Sequence, residues 1–532
     1  MENDMEAQRE KRPLKHLQGL KGRVQNSLSG FLRACIVAAL VMLQFAILIV
    51  LPFLLRQYAS LFYLVMELFG VFTILALTND SRSMSYKYGW LCITILLPVS
   101  GNIMFALWGK VGKKNKLNRR IKSTIQSVDR HLEWYPEVSD EFRKKHPVSS
   151  RMSRYMEANG APISKNNEAR YYDMGENAFE DLFADLERAK KYVFIEFFIV
   201  AEGAIWDKMH DILKRKIEEG VEVKFLYDDF GALLRTSTDF AQKLRAEGFE
   251  VEVFNPIHKY TSKLFMNFRD HQKILVIDGE VAYTGGFNIA DEYANLVERF
   301  GIWKDEGVRL KGDVVWSMVV TFLELWAVCS KNEEIDYERY RAEKTSIQSD
   351  MYCHVLRDGP ALDTRSFVGS MYKQMIHYAG EKMYVMTPYL ILDYEMISAL
   401  TYAAKRGVEV SIIMPHIPDK KYAFALAKTY YNELLEAGVK ISEYKPGFVH
   451  AKIFVSDNKK AVVGTVNLDY RSFYHHFECG VFFYENSEVQ RIEEDFEETM
   501  KKCIHISLAD YKKLKLATRI EGKVLRLIAP LM

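Results

Sequence analysis

The pattern H-x-K-x4-D occurs twice in this chain, as His271-Lys273-Asp278 and again as His450-Lys452-Asp457. Seventeen residues after each His stands an Asn, Asn288 in one copy and Asn467 in the other. Each Asn follows a small-residue turn, Thr284-Gly285-Gly286 or Gly464-Thr465. One such pattern is weak, because spacing this short recurs by chance in long chains. Two copies with matched downstream residues point to a duplication, and hence to one active site built from two similar halves.

These residue types suit phosphoryl chemistry. A neutral imidazole can attack a phosphodiester phosphorus and form a covalent phosphohistidine, dividing one difficult displacement into two easier ones. A second imidazole on the leaving-group side can protonate the departing alkoxide and later deprotonate an incoming alcohol. Two lysines and two Asn side chains can hold the charge on the non-bridging oxygens. Such a set needs neither metal nor cofactor, and none is expected. The other eleven histidines of the 13 in the chain show no recurrent spacing and read as ordinary structural residues.

The stretch Asn267-Phe268-Arg269-Asp270-His271-Gln272-Lys273 with Gly285-Gly286-Phe287-Asn288 resembles the first signature of the phospholipase D superfamily, and within it of the bacterial cardiolipin synthases. His450-Ala451-Lys452 with Gly464-Thr465-Val466-Asn467-Leu468-Asp469-Tyr470-Arg471-Ser472 is similar to the second. The resemblance implies that His271 is the nucleophile and His450 the general acid and base. It also implies that a downstream carboxylate orients each His, and Asp305 and Glu478 stand where those are expected. Gln272 departs from the family, which often carries Arg there. The reaction implied joins two phosphatidylglycerol molecules into cardiolipin and glycerol. Water or another alcohol as acceptor remains an alternative, and a nuclease or an inactive membrane scaffold a remote one.

Asp278 and Asp457 belong to the motif and are counted with its catalytic set. Each nevertheless ends an apolar run (274–277 and 453–456) that reads as a buried strand, where an Asp serves as a turn or hydrogen-bond anchor. Residues 191–199 and 382–390 are strand-like in both halves, and each half continues through a helical stretch to a glycine turn at Gly220 or Gly407 and a further strand. Glu196 lies at the first of these strands, either near the substrate as in the family or as a solvated strand end. The fold expected is α/β: two phospholipase D-like halves, 166–340 and 341–510, about a pseudo-twofold axis with the site in the cleft between them.

Three apolar runs, 34–55, 58–78 and 88–108, precede these halves, each long enough to cross a hydrocarbon core of roughly 30 Å. A transmembrane region over 34–109 is therefore expected, behind a basic cytoplasmic segment at 1–33. Seven Lys or Arg precede the first run and seven lie between Lys110 and Lys122, which puts both flanks on the cytoplasmic side. That requires an even number of crossings, so one of the three runs is expected to be re-entrant or interfacial. Residues 110–165 read as a basic, polar connector. The segment 511–532 alternates basic and apolar residues, and either lies on the membrane or docks on the catalytic part. The partners expected are phosphatidylglycerol, other anionic phospholipids and a bacterial cell membrane, with the protein multi-pass and its catalytic part cytoplasmic; oligomeric state is left open. A net charge of +2 gives no nucleic-acid footprint, and six cysteines without paired spacing read as free thiols.

Overall fold

The two motif copies fold into two sheets that share one strand order. The computed structural model describes residues 58–106 except 81–83 and 99, residues 116–531 except 257–267, 331–333, 344–345 and 361–365, and a few positions between 42 and 50. In the first half, β1 (Asn167–Tyr172), β2 (Tyr192–Phe197), β3 (Glu222–Asp228), β4 (Glu250–Phe254), β5 (Lys273–Ile277), β6 (Val281–Gly285) and β7 (Gly307–Gly312) lie in the order β1-β7-β6-β5-β2-β3-β4. In the second, β8 (Cys353–Asp358), β9 (Lys382–Met386), β10 (Glu409–Pro415), β11 (Lys440–Tyr444), β12 (Ile453–Ser456), β13 (Lys460–Gly464) and β14 (His476–Tyr484) lie in the order β8-β14-β13-β12-β9-β10-β11. Ile163–Ser164 and Cys503–Ile506 extend the two edges of this second sheet.

The order follows from the sequence. The glycine-punctuated strand–helix–strand stretches give parallel neighbours, β2 beside β3 and β9 beside β10. The motif strands β5 and β12 then return antiparallel against β2 and β9. Both are buried along their whole length, as their unbroken apolar runs require.

Between the sheets lies a shared core. Its spine is the helix Val314–Cys329, buried from Val314 to Trp326 because apolar residues cover most of its circumference and its one carboxylate, Glu324, pairs with Arg357. Around it pack Phe194, Ile274 and Val276 from the first half and Val455, Val463 and Val481 from the second. The halves are therefore joined by burial as well as by sequence, which fixes their cleft.

Two segments bear on the sequence reading, the connector and the N-terminal region. The connector at 110–165 is an ordered layer from residue 116 onward: Ile121, Ile125 and Val128 join the shared core, and Val138, Phe142, Met152 and Met156 join the core of the second half. Its apolar residues are few but recur at helical spacing, which a composition-based reading averages away. In the N-terminal region, among the described residues, no helix is long and apolar enough to cross a membrane. The run at 88–108 is broken into helices Met84–Leu96 and Ser100–Met104 about Pro98, which cannot continue a helix. The helix Ala59–Thr78 carries Glu67 at its middle, and the run at 34–55 lies almost wholly outside the described residues. The multi-pass expectation finds no support among the described residues.

The C-terminal segment does dock. Helix Leu516–Ile528 lies on helix Lys421–Glu436, close enough that a Cβ on Gly522 would meet the Ala425 carbonyl oxygen at 2.6 Å. Arg526 covers the Tyr430 ring at 4.4 Å. Replacing Gly522 by Leu is expected to destabilise this contact by about 1–3 kcal/mol. Limited proteolysis checks it: cleavage near residue 515 should accelerate while the sheets stay resistant, and unchanged cleavage would refute the docking.

Candidate active site

Two short strand pairs cross from one half to the other and create the site. Arg269–Asp270 runs parallel to His476–Phe477, and Gly447–Val449 runs parallel to Ile302–Lys304. Each crossing ends in the same way. The backbone N–H of His271 donates to the Phe477 carbonyl at 2.9 Å, and that of His450 donates to the Lys304 carbonyl at 2.7 Å. The next residue on each partner strand is a carboxylate. His271 Nδ1 thus meets Glu478 Oε2 at 2.9 Å, and His450 Nδ1 meets Asp305 Oδ2 at 2.8 Å. Each histidine draws its carboxylate from the opposite half. The motif order along the chain does not reveal that exchange.

The two dyads differ in charge. Burial pushes Asp305 up, but the charge and hydrogen bond of His450, with Lys452, outweigh it and bring the carboxyl down to about 2. Burial pushes Glu478 well above the usual carboxylate range, against the pull of Lys273 and Thr465. Burial lowers both imidazoles: His271 falls well below its ordinary value with Lys273 and His476 repelling its proton, and His450 falls to about 4 with Lys452 opposing Asp305. An ionised Asp305 only accepts hydrogen bonds, so the proton of neutral His450 sits on Nδ1 and Nε2 is left for chemistry.

The lysines are fully enclosed. Lys273 donates to the His271 carbonyl at 2.6 Å, and burial with repulsion from Lys452 outweighs Glu478 and lowers it to about 8. Lys452 lies 2.9 Å from His450 Nδ1 and also donates to the His450 carbonyl. Asn288 anchors its Oδ1 on the Ile199 N–H at 2.9 Å, leaving Nδ2 buried without a partner among the described residues. Asn467 likewise holds an unpartnered buried amide oxygen, Oδ1. Gly286 is required beside them, because any Cβ there would collide with Asp305 Oδ1.

Asp278 and Asp457 are corrected. Both lie at the far end of the motif strand, in the left-handed region at φ 53° and 55°. Asp278 accepts the backbone N–H groups of Lys190, Lys191 and Tyr192 at 2.7–2.9 Å. Asp457 accepts those of Gly380, Glu381 and Lys382 at 2.8 Å. Each carboxylate ties the start of the neighbouring strand and is spent on that scaffold, so neither belongs with the reacting groups. Glu196 is no solvated strand end: it is fully buried and lies against Asp270, the residue before His271. Burial, then repulsion from Asp228, raises Asp270 to about 7.

Sequence reasoning missed four neighbours: Trp303, Thr465, Glu306 and His476. Trp303 donates Nε1–H to Asp305 Oδ2 at 3.1 Å, Thr465 donates to Glu478 Oε2, and Glu306 is buried beside Asp305 and Lys452. The ring of His476 lies 5.2 Å from that of His271. Aligning Trp303-x-Asp305 with His476-x-Glu478 would have found two of them. His271, His476 and Glu478 bring ligand atoms within 4.8 Å of one another, a set of types that suits a metal such as zinc. The ammonium groups of Lys273 and Lys452 beside it oppose a cation.

Two crossed His–carboxylate dyads, each with a Lys and an Asn, on a duplicated α/β scaffold define a phospholipase D-type enzyme. The family model described as "Cardiolipin synthase, PLD-like domain" matches residues 182–308 and 372–500. An uncharacterised protein of Streptococcus mutans is 40% identical over 86% of this chain and 99% of its own length. A cardiolipin synthase of Geobacillus is 31% identical over 87% of this chain and 92% of its own, and cardiolipin synthase 2 of Bacillus anthracis is 30% identical over 85% and 88%. The chain belongs to the cardiolipin synthase family of the phospholipase D superfamily. In three dimensions it is similar to phosphatidylserine synthase of Haemophilus influenzae, with a TM-score of 0.54 and 15% identity over 72% of this chain and 98% of that one, a likeness of fold.

The division between scaffold and reacting carboxylates is testable. Asp278→Ala should lower unfolding stability by about 3 kcal/mol while leaving measurable turnover. Asp305→Asn should keep the melting temperature and lower turnover by about a thousandfold or more, since the imidazolium of His450 loses its counter-charge. Melting curves beside initial rates decide it; equal activity loss in both variants would return Asp278 to the reacting set.

Proposed function

We propose that the protein is a membrane-associated phosphatidyltransferase that converts two phosphatidylglycerol molecules into cardiolipin and glycerol. The observation that carries the direction of the reaction is the unequal charge of the two dyads. His450 faces an ionised Asp305, the partner an imidazolium needs. His271 faces a carboxyl whose charge burial opposes, and its own imidazole stays neutral and nucleophilic.

His271 Nε2 attacks phosphorus, the bond from phosphorus to the glycerol oxygen breaks, and His450, as imidazolium, gives its Nε2 proton to that oxygen. An anionic phosphodiester in the cleft offsets Lys273 and Lys452 and so restores the proton affinity of His450. A hydroxyl of the second phosphatidylglycerol then loses its proton to His450 and attacks phosphorus, and the bond to His271 breaks. Lys273, Lys452 and the free Nδ2 of Asn288 hold the non-bridging oxygens throughout.

Membrane attachment rests on apolar faces that are exposed among the described residues. Leu61, Leu64, Leu68 and Phe72 are exposed on helix Ala59–Thr78, and Leu516, Ile520, Val524 and Leu527 are exposed along the terminal helix. On the terminal helix Lys515, Arg519 and Lys523 flank the apolar stripe, a pairing that favours an anionic lipid surface. Replacing Leu516, Ile520 and Val524 together by Ser should reduce co-sedimentation with phosphatidylglycerol vesicles several-fold and spare turnover of a short-chain monomeric lipid. Unchanged sedimentation would remove this helix from the membrane contact.

Incubation with labelled phosphatidylglycerol tests the reaction. Wild type should release cardiolipin and glycerol in equal amounts, and His271→Ala should release neither. Phosphatidic acid in place of cardiolipin would make water the acceptor. The pH profile carries a second check. Lys273 is charged below about 8 and loses its charge as pH rises through that value, so kcat/KM should fall on the alkaline side near 8. Lys273→Arg stays charged and should move that limb upward; an unmoved limb would assign it to another group.

A further inference from the structure

His476 is absent from the motif chemistry, yet it is buried against it. Its Nδ1 lies 3.4 Å from Glu478 Oε1. Both atoms are enclosed and neither has a hydrogen-bond partner among the described residues. The other oxygen of that carboxylate, Oε2, already serves His271 Nδ1 and the Thr465 hydroxyl. A buried ring nitrogen and a buried carboxyl oxygen thus face each other at a separation that a small tightening closes, as catalytic contacts do when substrate binds. Ser472 also faces this carboxyl group.

The pseudo-twofold repeat supplies an independent observation. In the first half Trp303 stands two residues before Asp305, as His476 stands two before Glu478. The residue between them, Lys304 or Phe477, accepts the backbone N–H of the catalytic histidine in both halves. Trp303 donates Nε1–H to the orienting carboxylate at 3.1 Å, and its ring lies 5.4 Å from the ring of His450. His476 occupies the corresponding place, with its ring 5.2 Å from His271. The scaffold therefore offers a ring N–H to each orienting carboxylate from the same position, once from an indole and once from an imidazole.

We propose that His476 is a positioning residue for His271, holding the Glu478 carboxyl by its second oxygen so that the first stays aligned on the nucleophile. Burial, and then the charges of Arg471, His475, Lys273 and Arg269, keep the His476 ring neutral, so Nδ1 can carry the proton it donates. The inference rests on His271 being the nucleophile of the proposed reaction.

The experiment measures the rate of covalent lipid attachment to His271 in a single turnover with labelled phosphatidylglycerol. Wild type, His476→Asn and His476→Leu are compared across pH. The Leu variant should slow attachment by about tenfold to a hundredfold with KM little changed, and the acid limb of its pH profile should shift. The Asn variant keeps an N–H donor and should stay within about threefold of wild type. Equal rates in wild type and the Leu variant would overturn the inference, as would equal losses in Asn and Leu variants with matching loss of melting temperature, which would mark a packing role. No label on His271 in wild type, with turnover intact, would instead overturn the nucleophile assignment on which it rests.

Discussion

Two hydrogen-bonded crossings between the halves carry the whole site. At each, one backbone bond from a motif histidine to a carbonyl of the other half sets the register, and the residue after that carbonyl is the carboxylate on its ring nitrogen. A slip of one residue would turn each carboxylate away, because successive side chains on a strand point to opposite faces. The shared core around Val314–Cys329 holds that register, since separating the halves would expose it to water. Catalytic geometry and the burial joining the halves are one constraint.

The duplication is symmetric in backbone and asymmetric in charge. Both halves have the same seven-strand order and the same His–carbonyl bond. Yet one carboxyl is held ionised and the other is pushed toward neutrality by burial. A chemical task with two roles, nucleophile and proton carrier, needs groups of similar geometry and different proton affinity. The neighbours make the difference: His450, Lys452 and Glu306 bring Asp305 down, while Lys273 and Thr465 do not offset the burial of Glu478.

Away from the cleft the same economy recurs. Asp278 and Asp457 tie the starts of β2 and β9, so the motif contains its own scaffold clamp at one end of a strand and its reactive pair at the other. The terminal helix leaves a stripe of leucine, isoleucine and valine open on its outer side while its inner side is seated through Gly522. Such a stripe is expensive in water.

Much of this was legible in the residues alone. The repeat of H-x-K-x4-D with its Asn picked out residues that the structure gathers at one place, since the duplication exposed which residue types recur. The alternation of apolar runs and glycine turns indicated two α/β halves, since periodicity reflects local geometry. The sequence also placed Asp278 and Asp457 at strand ends, where their short carboxylates bond to backbone. It could not tell that His271 takes Glu478 and His450 takes Asp305, because that exchange is made by strand pairing between distant segments. Nor could it separate a polar connector from a packed helical layer at 116–158. The asymmetry of the two dyads was decided only by the tertiary structure, because burial and neighbouring charge set a proton's affinity, and neither exists before the halves come together.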